Sequence, residues 1–161
     1  MKQYSTFFII SDTHGLGQDV IASLLPAINN ADALVHLGDG LSDLYAFRDK
    51  IKCDVLKVRG NCDPYSDYEK DIFVSTPAGK VMFTHGDEHG VNSNLLNLYM
   101  CAKENGCKYA FYGHTHISAV DEYNGITIVN PGSACRPRGV ERSYCYAFVE
   151  NGKLITKIVS I

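Results

Sequence analysis

Short apolar runs alternate with segments of helical spacing over the first 60 residues. Three runs rich in β-branched and aromatic side chains are predicted to be buried strands: residues 4–10, 33–37 and 55–58. Apolar residues recur at helical spacing between them, which predicts helices over residues 18–30 and 41–50. We expect Pro26 to kink or shorten the first helix, and Tyr45 to share the apolar face of the second. This order predicts a parallel sheet with crossover helices.

Hairpin signals dominate the rest of the chain. Residues 71–75 and 80–84 are predicted strands on either side of a turn at 77–79. Asn-Gly pairs at 124–125 and 151–152 predict two further hairpins with type I′ turns, because both central residues of that turn need a positive φ.

One more helix and strand lie between these hairpins. The helix is predicted over residues 92–104 and ends at Gly106, and a strand follows at 109–112. The apolar face of this helix is expected to contain Leu95, Leu96, Leu98, Tyr99 and Ala102. We therefore expect an α/β protein with a single domain, residues 1–161, in which two mixed sheets pack face to face with helices outside.

Composition narrows the class of protein. Hydrophobic residues make up 45% and charged residues 20% of the 161 residues, as in ordinary globular domains, and no apolar run approaches the ~20 residues of a membrane span. No signal peptide is recognisable, so we expect a cytoplasmic protein without a membrane partner. The six cysteines form no C-x-x-C pair, and we expect mostly buried free thiols. A net charge of -3 argues against a long nucleic acid as partner.

Residues able to bind metal follow five of the predicted strands. They are Asp12, His14, Asp39, Asn61, His85, His114 and His116, each close to a glycine. The last two lie in the stretch YGHTH, where residues i and i+2 can face one side of an extended chain. Ligands of parallel α/β sheets bind beyond the carboxyl ends of the strands, so these side chains should converge.

The number of donors indicates more than one ion. Seven exceed the three or four protein ligands of one catalytic ion, and suffice for two ions if a carboxylate bridges them. Imidazole and carboxylate together suit Mn, Fe, Zn, Co or Ni better than Mg or Ca.

These motifs, in this order, resemble the calcineurin-like metallophosphoesterases. The matching elements are D-x-H at Asp12, G-D at Asp39, G-N at Asn61, the lone His85 and G-H-x-H ending at His116. The segment NPGS, residues 130–133, is similar to the ending of the small single-domain prokaryotic phosphodiesterases. The resemblance implies a four-layer α/β/β/α sandwich and hydrolysis of a phosphodiester by a hydroxide that bridges two divalent ions, with Mn as the leading candidate.

The resemblance also implies a role for each donor. The first ion would take Asp12, His14 and His116, the second would take Asn61, His85 and His114, and Asp39 would bridge them. Asn61, Cys62 and Asp63 are the candidate catalytic residues. Many family members have histidine at position 62 as the proton donor, whereas a thiol, with a reference pKa near 8.5, is a poor donor. We expect His36 to be a packed strand residue and His89 a surface-loop residue.

Charge counting favours a diester substrate modestly. Two divalent ions with two aspartates and a hydroxide leave a charge of about +1, which a diester of charge -1 balances. Arg136 and Arg138 are candidate substrate contacts that could offset the second charge of a monoester. If they are solvated surface cations, which we slightly favour, they leave this count unchanged. The partner is expected to be a small phosphodiester, with short or cyclic nucleotides included. A phosphomonoesterase, a non-enzymatic scaffold with this fold, and a homo-oligomer stay open as alternatives.

Overall fold

A computed structural model describes residues 2–64 and 67–161. The first of its two five-stranded sheets has the order β10-β9-β1-β2-β3. Its strands are β1 (Thr6–Ile10), β2 (Ala33–His36), β3 (Asp54–Lys57), β9 (Ser143–Glu150) and β10 (Lys153–Ser160). Strands β1, β2 and β3 are parallel, whereas β9 runs antiparallel to both β1 and β10.

The second sheet has the order β4-β5-β6-β8-β7. Its strands are β4 (Asp71–Thr76), β5 (Gly79–Thr84), β6 (Cys107–Phe111), β7 (Ala119–Tyr123) and β8 (Ile126–Asn130). Strands β5, β6 and β8 are parallel, and β4 and β7 close the two edges in antiparallel pairs. The carboxyl ends of the parallel strands of each sheet therefore share one edge.

In the described residues, two α-helices and two short 3-10 helices complete the fold. They are α1 (Gln18–Asn29), α2 (Leu96–Glu104) and the 3-10 segments Leu41–Phe47 and Asp87–His89. Helix α1 continues past Pro26 to Asn29, so the proline shortens it by no more than one residue. None of the helices in the described part of the chain has the length and apolar character needed to cross a bilayer.

The sequence prediction was wrong about two apolar faces. The predicted helix over residues 41–50 is a 3-10 helix that ends at Phe47, and its Tyr45 is 71% exposed. The 3-10 geometry places side chains three residues apart above one another, so Leu41, Leu44 and Phe47 face inward and Tyr45 does not. Helix α2 begins at Leu96, later than predicted, and this side chain is 62% exposed.

The main core lies between the two sheets. Phe7 packs edge-on against Phe83, with ring centroids 5.3 Å apart, and Phe83 stacks on Phe111. A second apolar layer lies between α1 and the first sheet, and a third between α2 and the second sheet. The four layers confirm the predicted α/β/β/α sandwich of two mixed sheets.

Both Asn-Gly hairpins form as predicted, whereas the thiols are less buried than predicted. Asn124 and Gly125 have φ values of 47° and 81°, and Asn151 and Gly152 have 50° and 73°, which confirms two type I′ turns. All six cysteines are free thiols, but only Cys107 and Cys145 are buried, so the prediction that most are buried was wrong.

Candidate metal centre

The seven predicted donors meet where the parallel strands end. Asp12 and His14 follow β1, Asp39 follows β2, Asn61 follows β3, His85 follows β5, and His114 and His116 follow β6. The two sheets face each other, so these loops close over the same end of the sandwich. The convergence expected from the strand-end pattern is therefore present in the folded chain.

Five of the seven donors have left-handed backbone. The φ values of Asp12, His14, Asp39, His114 and His116 lie between 48° and 69°. This conformation costs a non-glycine residue about 1–3 kcal/mol and persists only where the surroundings impose it. Such residues cluster at functional sites, and the strain here is concentrated on the residues that carry the donor atoms.

Backbone contacts between the loops impose this conformation. Asp12 N–H donates to Gly38 O at 3.0 Å, and His14 N–H donates to Asp39 O at 2.9 Å. The loop after β3 also approaches Asp39 closely and requires glycine at position 60, because a Cβ there would collide with the Asp39 carboxylate. The loops after β1 and β2 therefore hold each other in place.

One group of donors is formed by Asp12, His14 and His116. Asp12 Oδ1 lies 3.2 Å from His116 Nε2 and 3.8 Å from His14 Nε2, and the two ring nitrogens are 3.1 Å apart. Asp12 Oδ1 is fully buried and accepts no well-aligned hydrogen bond. A buried carboxylate oxygen without a partner is costly, and a cation between these three atoms would satisfy it.

A second group is formed by Asp39, Asn61, His85 and His114. His85 Nε2 lies 3.0 Å from Asn61 Oδ1, 3.2 Å from Asp39 Oδ2 and 3.2 Å from His114 Nδ1. Asp39 Oδ2 is also 3.8 Å from His14 Nε2, a member of the first group. Asp39 thus connects the two groups, and the donor set fits two divalent ions.

Hydrogen bonds on the outer side of the rings select the donor nitrogens. His85 Nδ1–H donates to Leu37 O at 2.7 Å, and His116 Nδ1–H donates to Arg136 O at 2.6 Å. In its neutral form each ring then presents an unprotonated Nε2 to the centre, as metal ligands usually do.

His114 is oriented by a residue that the sequence analysis missed. Its Nδ1 faces His85, while its Nε2 lies 2.9 Å from Asn92 Nδ2. If Nδ1 binds a metal ion, Nε2 carries the proton and donates a hydrogen bond. Asn92 must then present its amide oxygen as the acceptor. Amide nitrogen and oxygen are assigned from their contacts, and rotation of the Asn92 amide by 180° produces this pairing.

The segment NPGS supports the same loops. Asn130 Nδ2 donates to Gly113 O at 3.1 Å and to Thr115 Oγ1 at 3.0 Å. Ser133 Oγ donates to Asp12 O at 2.8 Å. Asn130 and Ser133 therefore hold the His114–His116 loop and the Asp12 loop from behind, without facing the centre themselves.

In the metal-free protein, Asp39 and His85 shift each other's pKa in opposite directions. Burial acts most strongly on Asp39 and would raise its pKa, but the hydrogen bond and the charge of His85 lower it to about 2. Burial would lower the pKa of His85, yet the hydrogen bond to Asp39 and the charges of Asp12 and Asp39 raise it to about 9. A proton on His85 thus balances the carboxylates, and an ion must displace it to bind.

Cys62 and Asp63 lie beside the centre in different roles. Cys62 is exposed, and its N–H donates to Asp39 Oδ1 at 2.7 Å. Partial desolvation of the thiol, followed by the charge of Asp39, raises the pKa of Cys62 above its ordinary value. The Asp63 carboxylate accepts four backbone N–H bonds, two of them from Asp39 and Gly40 at 2.6 and 2.9 Å. The Asp63 carboxylate therefore holds the Asp39 loop in position through these bonds.

Among the remaining histidines, the prediction for His36 is confirmed and that for His89 is not. His36 is fully buried, accepts the Gly38 N–H at Nδ1 and contacts Thr13 Oγ1, which confirms a packed strand residue. His89 was predicted to be a surface-loop residue, which is wrong: it is half-buried and its Nε2 lies 3.0 Å from Asp71 Oδ1. Arg136 and Arg138 are exposed and line a cavity of about 330 Å³ over the centre.

The family follows from comparison with known proteins. A model of the calcineurin-like phosphoesterase superfamily domain matches residues 6–152. A probable metallophosphoesterase, YsnB of Bacillus subtilis, is 33% identical over 141 residues, covering 88% of this chain and 81% of the relative. The chain therefore belongs to the calcineurin-like phosphoesterase superfamily. The phosphodiesterase MJ0936 of Methanocaldococcus jannaschii is 27% identical over 148 residues, with 79% and 82% coverage.

Solved structures agree on the fold. A predicted phosphoesterase from Streptococcus pneumoniae superimposes with a TM-score of 0.82 at 25% identity, covering 99% of this chain and 91% of that one. Vacuolar protein sorting 29 from Cryptosporidium parvum superimposes with a TM-score of 0.72 at 18% identity, with 99% of both chains covered. The second likeness concerns the fold alone.

Proposed function

We propose that residues 1–161 form one domain that acts as a dinuclear metal-dependent phosphodiesterase. The observation that carries this proposal is the position of Asp39 Oδ2, which lies 3.2 Å from His85 Nε2 and 3.8 Å from His14 Nε2. One carboxylate oxygen is thus shared between two groups of donors. Asp12 Oδ1, which is buried and accepts no well-aligned hydrogen bond, supports the same conclusion.

Each donor then has a role. Asp12, His14 and His116 would hold the first ion, Asn61, His85 and His114 the second, and Asp39 both. Mn is the leading candidate, with Fe, Zn, Ni and Co also compatible with imidazole and carboxylate ligands. When bound, the ions would lower the pKa of a shared water toward ~7, supply the hydroxide nucleophile and neutralise charge on the phosphoryl oxygens.

Two cavities beside the centre support a substrate with two organic arms. One has a volume of about 650 Å³ and the other of about 330 Å³, and both are lined by His14, Asp39 and Cys62. A phosphorus atom at this junction could extend one substituent into each cavity. A diester carries two such substituents, whereas a monoester carries one.

The larger cavity has the character of a binding site for a planar group. Its lining includes the apolar Leu44 and the exposed ring of Tyr45, over which the Arg48 guanidinium lies at 4.7 Å. A guanidinium and an aromatic ring together suit an aryl or nucleoside arm. A short or cyclic nucleotide is thus the chemical class that we favour.

A phosphomonoesterase is the second candidate, and it has its own observation. Arg136 and Arg138 line the smaller cavity and could balance the additional negative charge of a monoester. A non-enzymatic scaffold is less favoured, because a scaffold has no need of strained backbone at five buried or half-buried donors. Cytoplasmic location and oligomeric state stay predictions.

Paired substrates test the proposal. Protein loaded with Mn is assayed on bis(4-nitrophenyl) phosphate and on 4-nitrophenyl phosphate, and we expect the higher kcat/KM for the diester. Tyr45→Ala should lower the diester value, while Tyr123→Ala, an equally simple truncation on β7, should not. A higher value for the monoester that is lost in Arg136→Ala would favour the second candidate. No turnover of either substrate with any of the five metals would contradict both.

A further inference from the structure

A separate group of metal-binding side chains lies outside the seven donors. It consists of Asp71 at the start of β4, His89 in the second 3-10 helix and Cys101 in α2. One donor atom from each, a carboxylate oxygen, an imidazole nitrogen and the sulfur, lies within 4.8 Å of the other two. Three elements that are distant in sequence thus bring three different ligand types to one place.

The three side chains are partly shielded from solvent. Asp71 and His89 are 30% and 15% exposed, and His89 Nε2 lies 3.0 and 3.2 Å from the two carboxylate oxygens. The Thr84 hydroxyl contacts the Asp71 carboxylate, and Asn105 Nδ2 lies 3.7 Å from Cys101 Sγ. Metal ligands are typically supported by such outer hydrogen bonds, which fix their orientation.

We propose that Asp71, His89 and Cys101 bind a single zinc ion. Carboxylate, imidazole and thiolate are the three usual zinc ligands, and three protein ligands leave the fourth tetrahedral position for a water on the exposed side. A tetrahedral ion at normal bond lengths places its donors roughly 3–4 Å apart, so small side-chain rotations close the site. The charges of Zn²⁺, one carboxylate and one thiolate sum to zero, because the imidazole binds in its neutral form.

The position of this site suggests a structural effect on the main centre. His89 lies in the loop between His85, a donor of the second group, and Asn92, the neighbour of His114. A bound ion would tie this loop to β4 and to α2. The ion would therefore restrict the movement of two residues that shape the second group, without touching the substrate.

Cobalt is a suitable probe because its spectrum reports the ligand type. Titration of the metal-free protein with Co²⁺ should produce a thiolate-to-cobalt charge-transfer band in the near ultraviolet. Cys101→Ser should remove this band and lower the zinc content by one ion per chain. Cys62→Ser is the matched control, because among the described residues Cys62 is the cysteine that groups with His14 and Asp39 of the main centre, and this variant should keep the band.

Two further results complete the test. His89→Asn should weaken zinc binding at this site while circular dichroism shows a folded chain, which separates ligand loss from unfolding. A parent protein without the band, or a band that survives in Cys101→Ser, would overturn the proposal. The spectrum requires no turnover, so this outcome is independent of whether the chain proves to be a phosphodiesterase.

Discussion

Left-handed backbone occurs at seven non-glycine residues in the described part of the chain, and they fall into two regions of opposite character. Two are Asn124 and Asn151, each followed by glycine at the tip of a hairpin. Asparagine and glycine tolerate this conformation, so local sequence accounts for these turns. The other five are aspartates and histidines at strand ends, which enter this region less readily than glycine and are not part of a two-residue hairpin turn.

The difference shows what each region is for. Turn chemistry accounts for the backbone of the hairpin tips, whereas the strand-end residues are held by contacts from distant segments, such as Asp39 N–H to the Asp63 carboxylate at 2.6 Å. The strain aims side chains with buried donor atoms at one point. The strand ends are therefore built for binding, at a cost to stability, while the hairpins serve the fold alone.

The largest expected effect is that of Asp39→Asn. Asp39 is the donor shared by the two groups, so its loss should affect both ions and lower kcat/KM by more than about 100-fold, beyond the loss typical of a residue that only orients a ligand. Asn124→Ala at a hairpin tip is the control and should leave kcat/KM unchanged. Activity of Asp39→Asn within a few-fold of the parent would remove Asp39 from the centre.

The next effect concerns Cys62, which lies in the strand-end region without left-handed backbone. Because its thiol is a weak acid, rates of the parent should depend steeply on leaving-group pKa. Cys62→His should flatten this dependence by adding a general acid, which is typically worth ~100- to 10,000-fold, with most of the gain for alkyl leaving groups. Cys62→Ser should change little. A shallow dependence in the parent protein would refute this account of Cys62.

Asn92 tests whether orientation of a donor ring matters. Asn92→Ala should weaken metal binding at the second group by about 10- to 100-fold in calorimetric titrations, because the His114 ring loses its partner. Asn92→Asp should retain most of the affinity, since a carboxylate also accepts the Nε2–H. Equal affinity in Asn92→Ala and the parent would show that the ring needs no support.

The smallest expected effect is on the free energy of unfolding, which measures the cost of left-handed backbone in each of the two regions. In the metal-free protein, His14→Gly should be more stable than His14→Ala by about 1 kcal/mol, because only glycine relieves the left-handed backbone. At the hairpin, Gly152→Ala should lose about 1 kcal/mol for the same reason and keep full activity. Chemical denaturation measures both. A more stable His14→Ala would mean that position 14 is not strained.

The fold was largely predictable because apolar runs and turn residues are local signals. Donors at strand ends were predictable as well, since the carboxyl ends of parallel strands converge. The exposure of Tyr45 was not predictable, because spacing alone does not distinguish a 3-10 helix from an α-helix. The roles of Asn92 and His89 depend on partners 22 and 18 residues away, and a single polar residue in a loop carries no signal of its partner.

The most direct test of the dinuclear account is the manganese content of the protein together with its electron paramagnetic resonance spectrum. Mn²⁺ prefers carboxylate and imidazole ligands over thiolate, so the site at Cys101 should not contribute. We predict two Mn ions per chain with a spectrum of magnetically coupled ions, and loss of the coupling in Asp39→Asn. A reproducible limit of one Mn ion per chain at full activity, or two uncoupled ions, would contradict the bridging role of Asp39.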